Sequence, residues 1–157
     1  MGSRGSVIAT YVDTSAVLRL VYRRGDCVLA EEALRTHPTS SILARVEARV
    51  STLRRWHGGK ISRQRCERVL GLADSHAFDS MELLALDEAV LTEAAGLAER
   101  FPLRTLAGLH LGSAVLAERR LARRGHVLRF CTADGQQAHA AVTLFGDERV
   151  DLLPPAT

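Results

Sequence analysis

The chain has few cysteines and few aromatic residues, and it has no long apolar run. Its 157 residues include only Cys27, Cys66 and Cys131, an odd and widely spaced set that suits neither a disulfide framework nor a zinc site. We therefore expect a reducing, cytoplasmic compartment. No apolar run approaches the roughly 20 residues that span a bilayer, and the N-terminus does not have the pattern of a signal peptide, so we expect no membrane association. Aromatic residues make up 4 % of the chain, which argues against a surface that stacks many nucleic-acid bases.

Several enzyme motifs are absent as well. The chain has no GxSxG, CxxC or HExxH motif, no P-loop, and no GxGxxG that follows a strand and opens a helix. These absences argue against a serine hydrolase, a CxxC redox centre, a HExxH metalloprotease and a dinucleotide-binding domain. A response-regulator domain is disfavoured too, because the acid pair expected near its first strand is missing.

Lysine is nearly absent, and arginine provides almost all of the positive charge. Lys60 is the only lysine among 21 basic residues, and the formal net charge is +3. Arginine binds phosphate in a bidentate manner, so such a surface suits a nucleic-acid or acidic partner. A GC-rich genome would also enrich arginine, and composition leaves both explanations open.

Alternating apolar segments and helix signals predict one α/β domain over residues 7–153. Residues 1–6, native or introduced by cloning, and residues 154–157 are predicted tails. Strands are expected at 7–13, 39–43, 81–86, 127–131 and 149–153, and helices at 16–22, 27–35, 44–56, 63–75, 88–100, 105–124 and 136–144. Short strands that alternate with helices imply a three-layer α/β/α sandwich with a short, mainly parallel sheet.

Two of the predicted helices carry apolar residues at helical spacing, which predicts one buried stripe on each. The stripes are Leu43, Val46, Val50 and Leu53 in the first, and Leu106, Leu109, Ser113 and Leu116 in the second. In the second helix, Gly108 and Gly112 would let another element approach closely. His110 could approach a substrate, although packing in a helix seam is the simpler expectation.

Three acids stand where an α/β fold binds its ligands. Asp13 and Asp134 follow predicted strands, and Glu47 lies one turn into a helix that follows another strand. Taken singly, Asp13 and Asp134 fit helix N-caps, and Glu47 fits an exposed helical ion pair. Taken together, the three could converge on one crevice beyond the carboxyl ends of the strands. Clustered carboxylates suit Mg²⁺, which could activate water for phosphodiester hydrolysis.

Four segments that span nearly the whole chain resemble, in order, the signature blocks of PIN-domain ribonucleases. They are YVDTSAVLRL, SSILARVEARV, LRTLAGLHLGSAVL and FCTADGQQ. The closer resemblance is to VapC-type toxins of bacterial toxin–antitoxin pairs. It implies a PIN-like sandwich, a Mg²⁺- or Mn²⁺-dependent endoribonuclease that cleaves tRNA, rRNA or mRNA, a homodimer, and inhibition by a cognate antitoxin. It also implies that Asp13, Glu47 and Asp134 are metal ligands, and that Thr14, Ser15 and Thr132 are polar neighbours of the site.

The third block departs from the pattern at one position. The family reads Leu-Asp-Ala-Leu-His-Leu-Ala where this chain reads LAGLHLG, so the expected aspartate is Ala107. Four carboxylates would suit two divalent ions, whereas three should bind metal more weakly. Ala107 is either a deliberate substitution that disarms a toxin or the result of natural drift.

Two arginines beside Glu47 complete the predicted site. Arg45 and Arg49 flank that acid, and we expect one or both to contact substrate phosphate. Two other functions stay open at this point. One is a PIN nuclease of RNA maturation, and the other is a catalytically inactive PIN-like module that binds RNA or antitoxin.

Overall fold

The structure, a computed structural model, describes residues 5–155. The outer residues of the two predicted tails, 1–4 and 156–157, lie outside the described residues. Within the described range the chain forms five strands and seven α-helices. No helix in this range is long and apolar enough to cross a membrane.

The five strands form a single sheet in which every neighbouring pair is parallel. The strands are β1 (Ile8–Val12), β2 (Pro38–Ser41), β3 (Glu82–Leu84), β4 (Val127–Thr132) and β5 (Val150–Leu152). Their order across the sheet is β3-β2-β1-β4-β5. The prediction of parallel strands is confirmed, and β1 lies at the centre, where its carboxyl end is flanked by those of β2 and β4.

Seven helices cover both faces of the sheet. They are α1 (Thr14–Tyr22), α2 (Val28–Ala33), α3 (Leu43–His57), α4 (Arg63–Leu72), α5 (Glu88–Arg100), α6 (Thr105–Ala122) and α7 (Gly135–Phe145). Val12 and Cys131 belong to the core under α1–α4, whereas Tyr11 and Phe130 belong to the core under α5–α7. This alternation along β1 and β4 produces the three layers that the sequence predicts.

Helix starts agree with the capping signals in the sequence. The side chains of Ser62 and Asp87 accept hydrogen bonds from the backbone N–H groups of Arg65 and Val90, at 3.1 and 3.0 Å. The helix predicted to run to about Ser75 changes its type before that residue. The α-helical hydrogen-bond pattern ends at Leu72, and the chain then forms one π-helical turn over Ala73–Ala77.

The buried face of α3 differs from the predicted apolar stripe. Val46 and Val50 are 57 % and 48 % exposed, whereas Ala44, Ala48 and Thr52 are buried. The small residues let α3 pack against α1 and the rest of the core, and this packing turns the two valines outward.

The strand predicted over residues 81–86 is shorter in the structure. It has three residues, because β3 is an edge strand with an exposed Glu82.

Helices α5 and α6 come into very close contact at Gly112. A Cβ atom at this position would lie 3.0 Å from Val90 O and 3.1 Å from Ala94 N. Both are backbone atoms of α5, so relief would require the helices to move apart. At Gly108, one turn earlier, a Cβ atom would meet Ala94 O at an ordinary 3.8 Å. The prediction that glycines permit a close approach is confirmed, and α5 is the approaching element. The predicted stripe of α6 is only partly buried, since Leu106 is 46 % exposed.

Gly112→Ala is expected to lower the free energy of unfolding. Overpacking of this kind costs about 1–3 kcal/mol, which exceeds the gain in helix propensity of roughly 1 kcal/mol. Gly108→Ala is the matched control, because it gains the same propensity without the clash, and it should be neutral or stabilising. Urea unfolding followed by circular dichroism measures both. Equal stability of the two variants would contradict the packing argument.

Candidate active site

A cavity of about 520 Å³ lies at the carboxyl edge of the sheet and brings the predicted acids together. Asp13 follows β1 directly, Asp134 comes two residues after β4, and Glu47 projects from α3. All three line the cavity, and Ala107 of α6 lines it as well. Because parallel strands end at the same edge, residues far apart in sequence meet here.

Asp13 is held firmly on one side of its carboxylate. It is 5 % exposed. Its Oδ2 accepts hydrogen bonds from Ser15 Oγ at 2.5 Å, from Thr132 Oγ1 at 3.0 Å and from the Ser15 backbone N–H at 3.3 Å. Asp13 is therefore an N-cap of α1, as one interpretation of the sequence holds. Its Oδ1 lies 3.6 Å from His110 Nε2, beyond hydrogen-bond distance.

Glu47 is bound through one of its two oxygens. Its Oε1 accepts a hydrogen bond from Thr14 Oγ1 at 3.0 Å and lies 2.5 Å from His110 Nε2. Its side chain is 20 % exposed, so it sits between the core and the open cavity. Glu47 is thus not a simple surface ion pair of a helix, the alternative that its sequence context left open.

His110 connects the cavity to the core. The ring is 1 % exposed, as expected of a packed histidine. Nε2 faces Glu47 and Thr14, while Nδ1 lies 2.8 Å from the Tyr11 hydroxyl. Burial works to lower the pKa of His110, but the hydrogen bond to Glu47 and the charges of Asp13 and Glu47 outweigh it and raise that pKa above 6.5. The imidazolium form therefore offsets negative charge in the site.

Tyr11 supports His110 from inside the core. Its hydroxyl accepts a hydrogen bond from the Ser41 backbone N–H at 3.1 Å, and its ring stacks on Phe130 with a centroid distance of 5.4 Å. Burial and the charge of Asp13 raise the pKa of Tyr11 well above its usual value, so the phenol stays neutral. Sequence reasoning missed Tyr11 as part of the site, and it offered His110 only as a residue that could approach a substrate. The available signal was the position of Tyr11, two residues before Asp13 along the strand.

Asp134 occupies the exposed side of the cavity. Its Oδ1 accepts hydrogen bonds from the backbone N–H groups of Gln136 and Gln137, at 2.9 and 3.1 Å, and so caps α7. Its own N–H donates to Thr132 Oγ1 at 3.0 Å. Thr132 therefore links Asp134 to Asp13, which places this hydroxyl between two of the acids.

The carboxylate oxygens that accept no hydrogen bond are of the type that binds a divalent ion. Asp13 Oδ1, Glu47 Oε2 and Asp134 Oδ2 have no hydrogen-bond donor within residues 5–155. Carboxylate oxygens suit Mg²⁺, which usually keeps several waters. No three His, Cys, Asp or Glu side chains of the described chain come close enough to hold an ion by themselves. The acids therefore supply the oxygen type that a divalent ion prefers, but within the described residues they do not form a three-ligand site on their own.

The two arginines beside Glu47 in sequence do not line this cavity. Arg45 binds Asp74 and Asp79, each at 3.1 Å, and Arg49 lies 3.9 Å from Asp74. They project from a different side of α3 than Glu47 does, so their predicted contact with substrate phosphate gains no support from this placement. The arginine that does line the cavity is Arg104, an exposed residue directly before α6 that sequence reasoning did not select.

Cys131 does not offer a nucleophile beside the acids. It lies in the core next to the carboxyl edge of the sheet and is fully buried. Burial, with a smaller effect of Asp151, raises the pKa of Cys131 to about 12, so the thiol stays protonated at neutral pH. The chemistry of this site therefore rests on carboxylates and on the imidazole.

His110 should make stability depend on pH without added metal. Because its pKa is raised on folding, its contribution is fully present below about pH 6.5, the unfolded value, and is lost as pH rises through the folded pKa. In His110→Gln this decline should disappear. The variant should also lose about 1–3 kcal/mol, since Tyr11 and Glu47 lose a partner. Thermal unfolding from pH 5.5 to 9 in EDTA tests both effects. His139→Gln, at an exposed position of α7, is the control, and parallel profiles for all three proteins would refute the assignment.

The fold of the chain is similar to folds found in toxin–antitoxin structures. No protein-family model and no curated protein matches the sequence. A chain of a toxin–antitoxin complex from Klebsiella pneumoniae matches with 17 % identity and a TM-score of 0.54, over 95 % of this chain and 100 % of that one. A chain in the crystal structure of VapBC-5 from Mycobacterium tuberculosis, a member of the VapBC family of toxin–antitoxin systems, matches with 18 % identity and a TM-score of 0.57, over 95 % and 99 %. The predicted three-layer α/β/α fold with its parallel sheet is therefore confirmed, and the chain shares this fold with chains of these two toxin–antitoxin structures.

Proposed function

We propose that this chain is the toxin of a toxin–antitoxin pair and that it belongs to the metal-dependent endoribonucleases. The observation that carries the proposal is the convergence of Asp13, Glu47 and Asp134 on one cavity at the carboxyl edge of the sheet. The similar folds belong to structures described as toxin–antitoxin complexes or systems. A cognate antitoxin, a homodimer and an RNA substrate follow as further parts of this proposal.

The residues of the cavity have separate roles in the proposed reaction. Asp13 and Glu47 each present one oxygen, held in place by the hydrogen bonds to the other oxygen. Asp134 adds a third from the open side. A bound Mg²⁺ or Mn²⁺ would activate water and stabilise the leaving oxygen of a phosphodiester. Arg104 supplies a positive charge at the cavity for the substrate phosphate.

A second candidate function is a PIN-like module that binds RNA or antitoxin without cutting RNA. Two observations favour it. Ala107 contributes no carboxylate to the cavity, and Glu47 is already engaged by His110 at 2.5 Å. Both features should weaken metal binding, so we expect this chain to be an inefficient nuclease. A nuclease of RNA maturation would use the same cavity and differs from a toxin in its cellular effect.

Ala107→Asp is expected to strengthen cleavage. Residue 107 lines the cavity with the three acids, so the new carboxylate would complete a set of four. The gain should be about 100-fold or more, because even groups that only hydrogen-bond metal ligands are worth roughly 10–100-fold. Cleavage of total bacterial RNA in Mg²⁺, Mn²⁺ or EDTA measures it.

Asp13→Asn in the Ala107→Asp background is the control, and it should abolish cleavage without changing the fold. Cleavage that is equal with Ala or Asp at position 107 would show that this position is not limiting. If neither form cuts any RNA, the non-catalytic module is the better description. Growth arrest on expression of the Ala107→Asp form, relieved by the product of a neighbouring gene, would separate a toxin from a maturation enzyme.

A further inference from the structure

A second, smaller cavity lies on the surface of α3. It adjoins the cavity lined by Asp13, Glu47 and Asp134, called the acid cavity below. It has a volume of about 210 Å³ and is lined by Ser51, Arg54, Arg55 and Lys60. Ser51 also lines the acid cavity. The two cavities are therefore neighbours, one lined by carboxylates and the other by three cations.

One face of α3 runs from the acids to the cations. Glu47, Ser51, Arg54 and Arg55 are spaced by four, three and one residues, which places them on a single side of the helix. At 1.5 Å of rise per residue, Arg54 and Arg55 lie about 10–12 Å along the axis from Glu47. A chain of phosphates that passes through the acid cavity along α3 would reach these arginines next.

The end of α3 fixes the backbone that carries the third cation. Gly59 has a φ of +67°, and its N–H donates to Trp56 O at 2.9 Å. The N–H of Lys60 donates to Arg55 O at 2.8 Å. These two bonds form a Schellman motif, which turns the chain back on the last turn of the helix. Lys60, the only lysine of the protein, is thereby held beside the two arginines.

The three cations have no acidic partner in the described part of the chain. Arg55 Nε is buried yet has no hydrogen-bond acceptor within residues 5–155, and the guanidinium lies over the Tyr22 ring at 5.1 Å. Stacking holds this group in one orientation with an unused donor. Arg45, by contrast, is neutralised by Asp74 and Asp79.

Helix stabilisation explains only part of this arrangement. Cations in the last turn favour the negative end of the helix dipole, which accounts for Arg54 and Arg55. It does not account for Lys60 beyond the turn, for the missing acids, or for the unsatisfied Nε of Arg55. A negatively charged group with several acceptor oxygens would account for Lys60 and for the missing acids.

We propose that Arg54, Arg55 and Lys60 form a phosphate-binding subsite for the RNA backbone, adjacent to the phosphate in the acid cavity. The inference rests on the proposed function, because it assumes that the acid cavity takes RNA. Arginine and lysine contacts to phosphate account for much of nucleic-acid affinity. The subsite would fix the direction in which the RNA strand crosses α3 and would not read its sequence.

Binding of a fluorescently labelled single-stranded RNA oligonucleotide in EDTA tests the subsite without any metal or cleavage. Arg54→Ala/Arg55→Ala/Lys60→Ala should raise Kd about tenfold or more at low salt, and it should make the salt dependence shallower by about 0.7 per lost phosphate contact. The matched control is Arg120→Ala/Arg123→Ala/Arg124→Ala. It removes the same charge from exposed, unpaired arginines at the end of α6, within the described residues, and should change Kd little.

Circular dichroism and thermal unfolding establish that the variants are folded. If loss of Arg55 from the Tyr22 ring unfolds the triple variant, Arg54→Ala/Lys60→Ala provides the same test. An equal loss of affinity in the control triple variant would overturn the subsite in favour of nonspecific charge. Unchanged RNA binding by the subsite variant would also overturn it.

The outcomes for the subsite and for the proposed function are separable. If the chain binds RNA through the three cations but the Ala107→Asp form never cuts, the nuclease proposal fails and the subsite stands. If the Ala107→Asp form cuts and the subsite variant binds RNA normally, the subsite fails and the nuclease stands. If the chain does not bind RNA even at low salt, the subsite is refuted together with an RNA substrate.

Discussion

The candidate site depends on how two carboxylates are held close to one buried imidazole. Asp13 and Glu47 would repel each other in a partly buried cavity unless positive charge or hydrogen-bond donors offset them. Donors come from Ser15, Thr14 and Thr132. His110, whose pKa is raised by Glu47 and Asp13, adds positive charge when it is protonated. His110 is itself anchored by Tyr11 in the core of the sheet. The chain thus stabilises its acids with its own groups.

Much of the fold could be predicted from the sequence, because local signals and the global structure agree. Apolar strand segments followed by helix-capping residues predicted that strands and helices alternate along the chain. Asp13 and Asp134, two of these capping residues, are both N-caps in the structure. The site was harder to predict. Tyr11 and His110 are 99 residues apart in the sequence. A local sequence pattern cannot predict a contact between residues so far apart. The capping role and the site role also coincide at Asp13, so the sequence could not separate them.

Helix α3 shows why apolar periodicity alone misjudged one face. Val46 and Val50 recur at helical spacing, yet the core takes the small side chains of Ala44 and Ala48. A closely packed core is stabilised by small residues that let two backbones approach each other, and not only by large apolar side chains. As a result the helix distributes its chemistry around its axis: small residues inward, Glu47 and Ser51 toward the cavity, and Arg45 toward Asp74.

The two outer strands also affect how the protein behaves in a crowded solution. A long open edge of a sheet exposes backbone donors and acceptors with which another chain can pair, which is a route to aggregation. Here both edges, β3 and β5, are only three residues long. Within β5, Asp151 forms an ion pair at 2.6 Å with Arg129 of the neighbouring strand β4. Each edge therefore offers few backbone groups for intermolecular strand pairing, so the parallel sheet is poorly suited to grow from one molecule into the next.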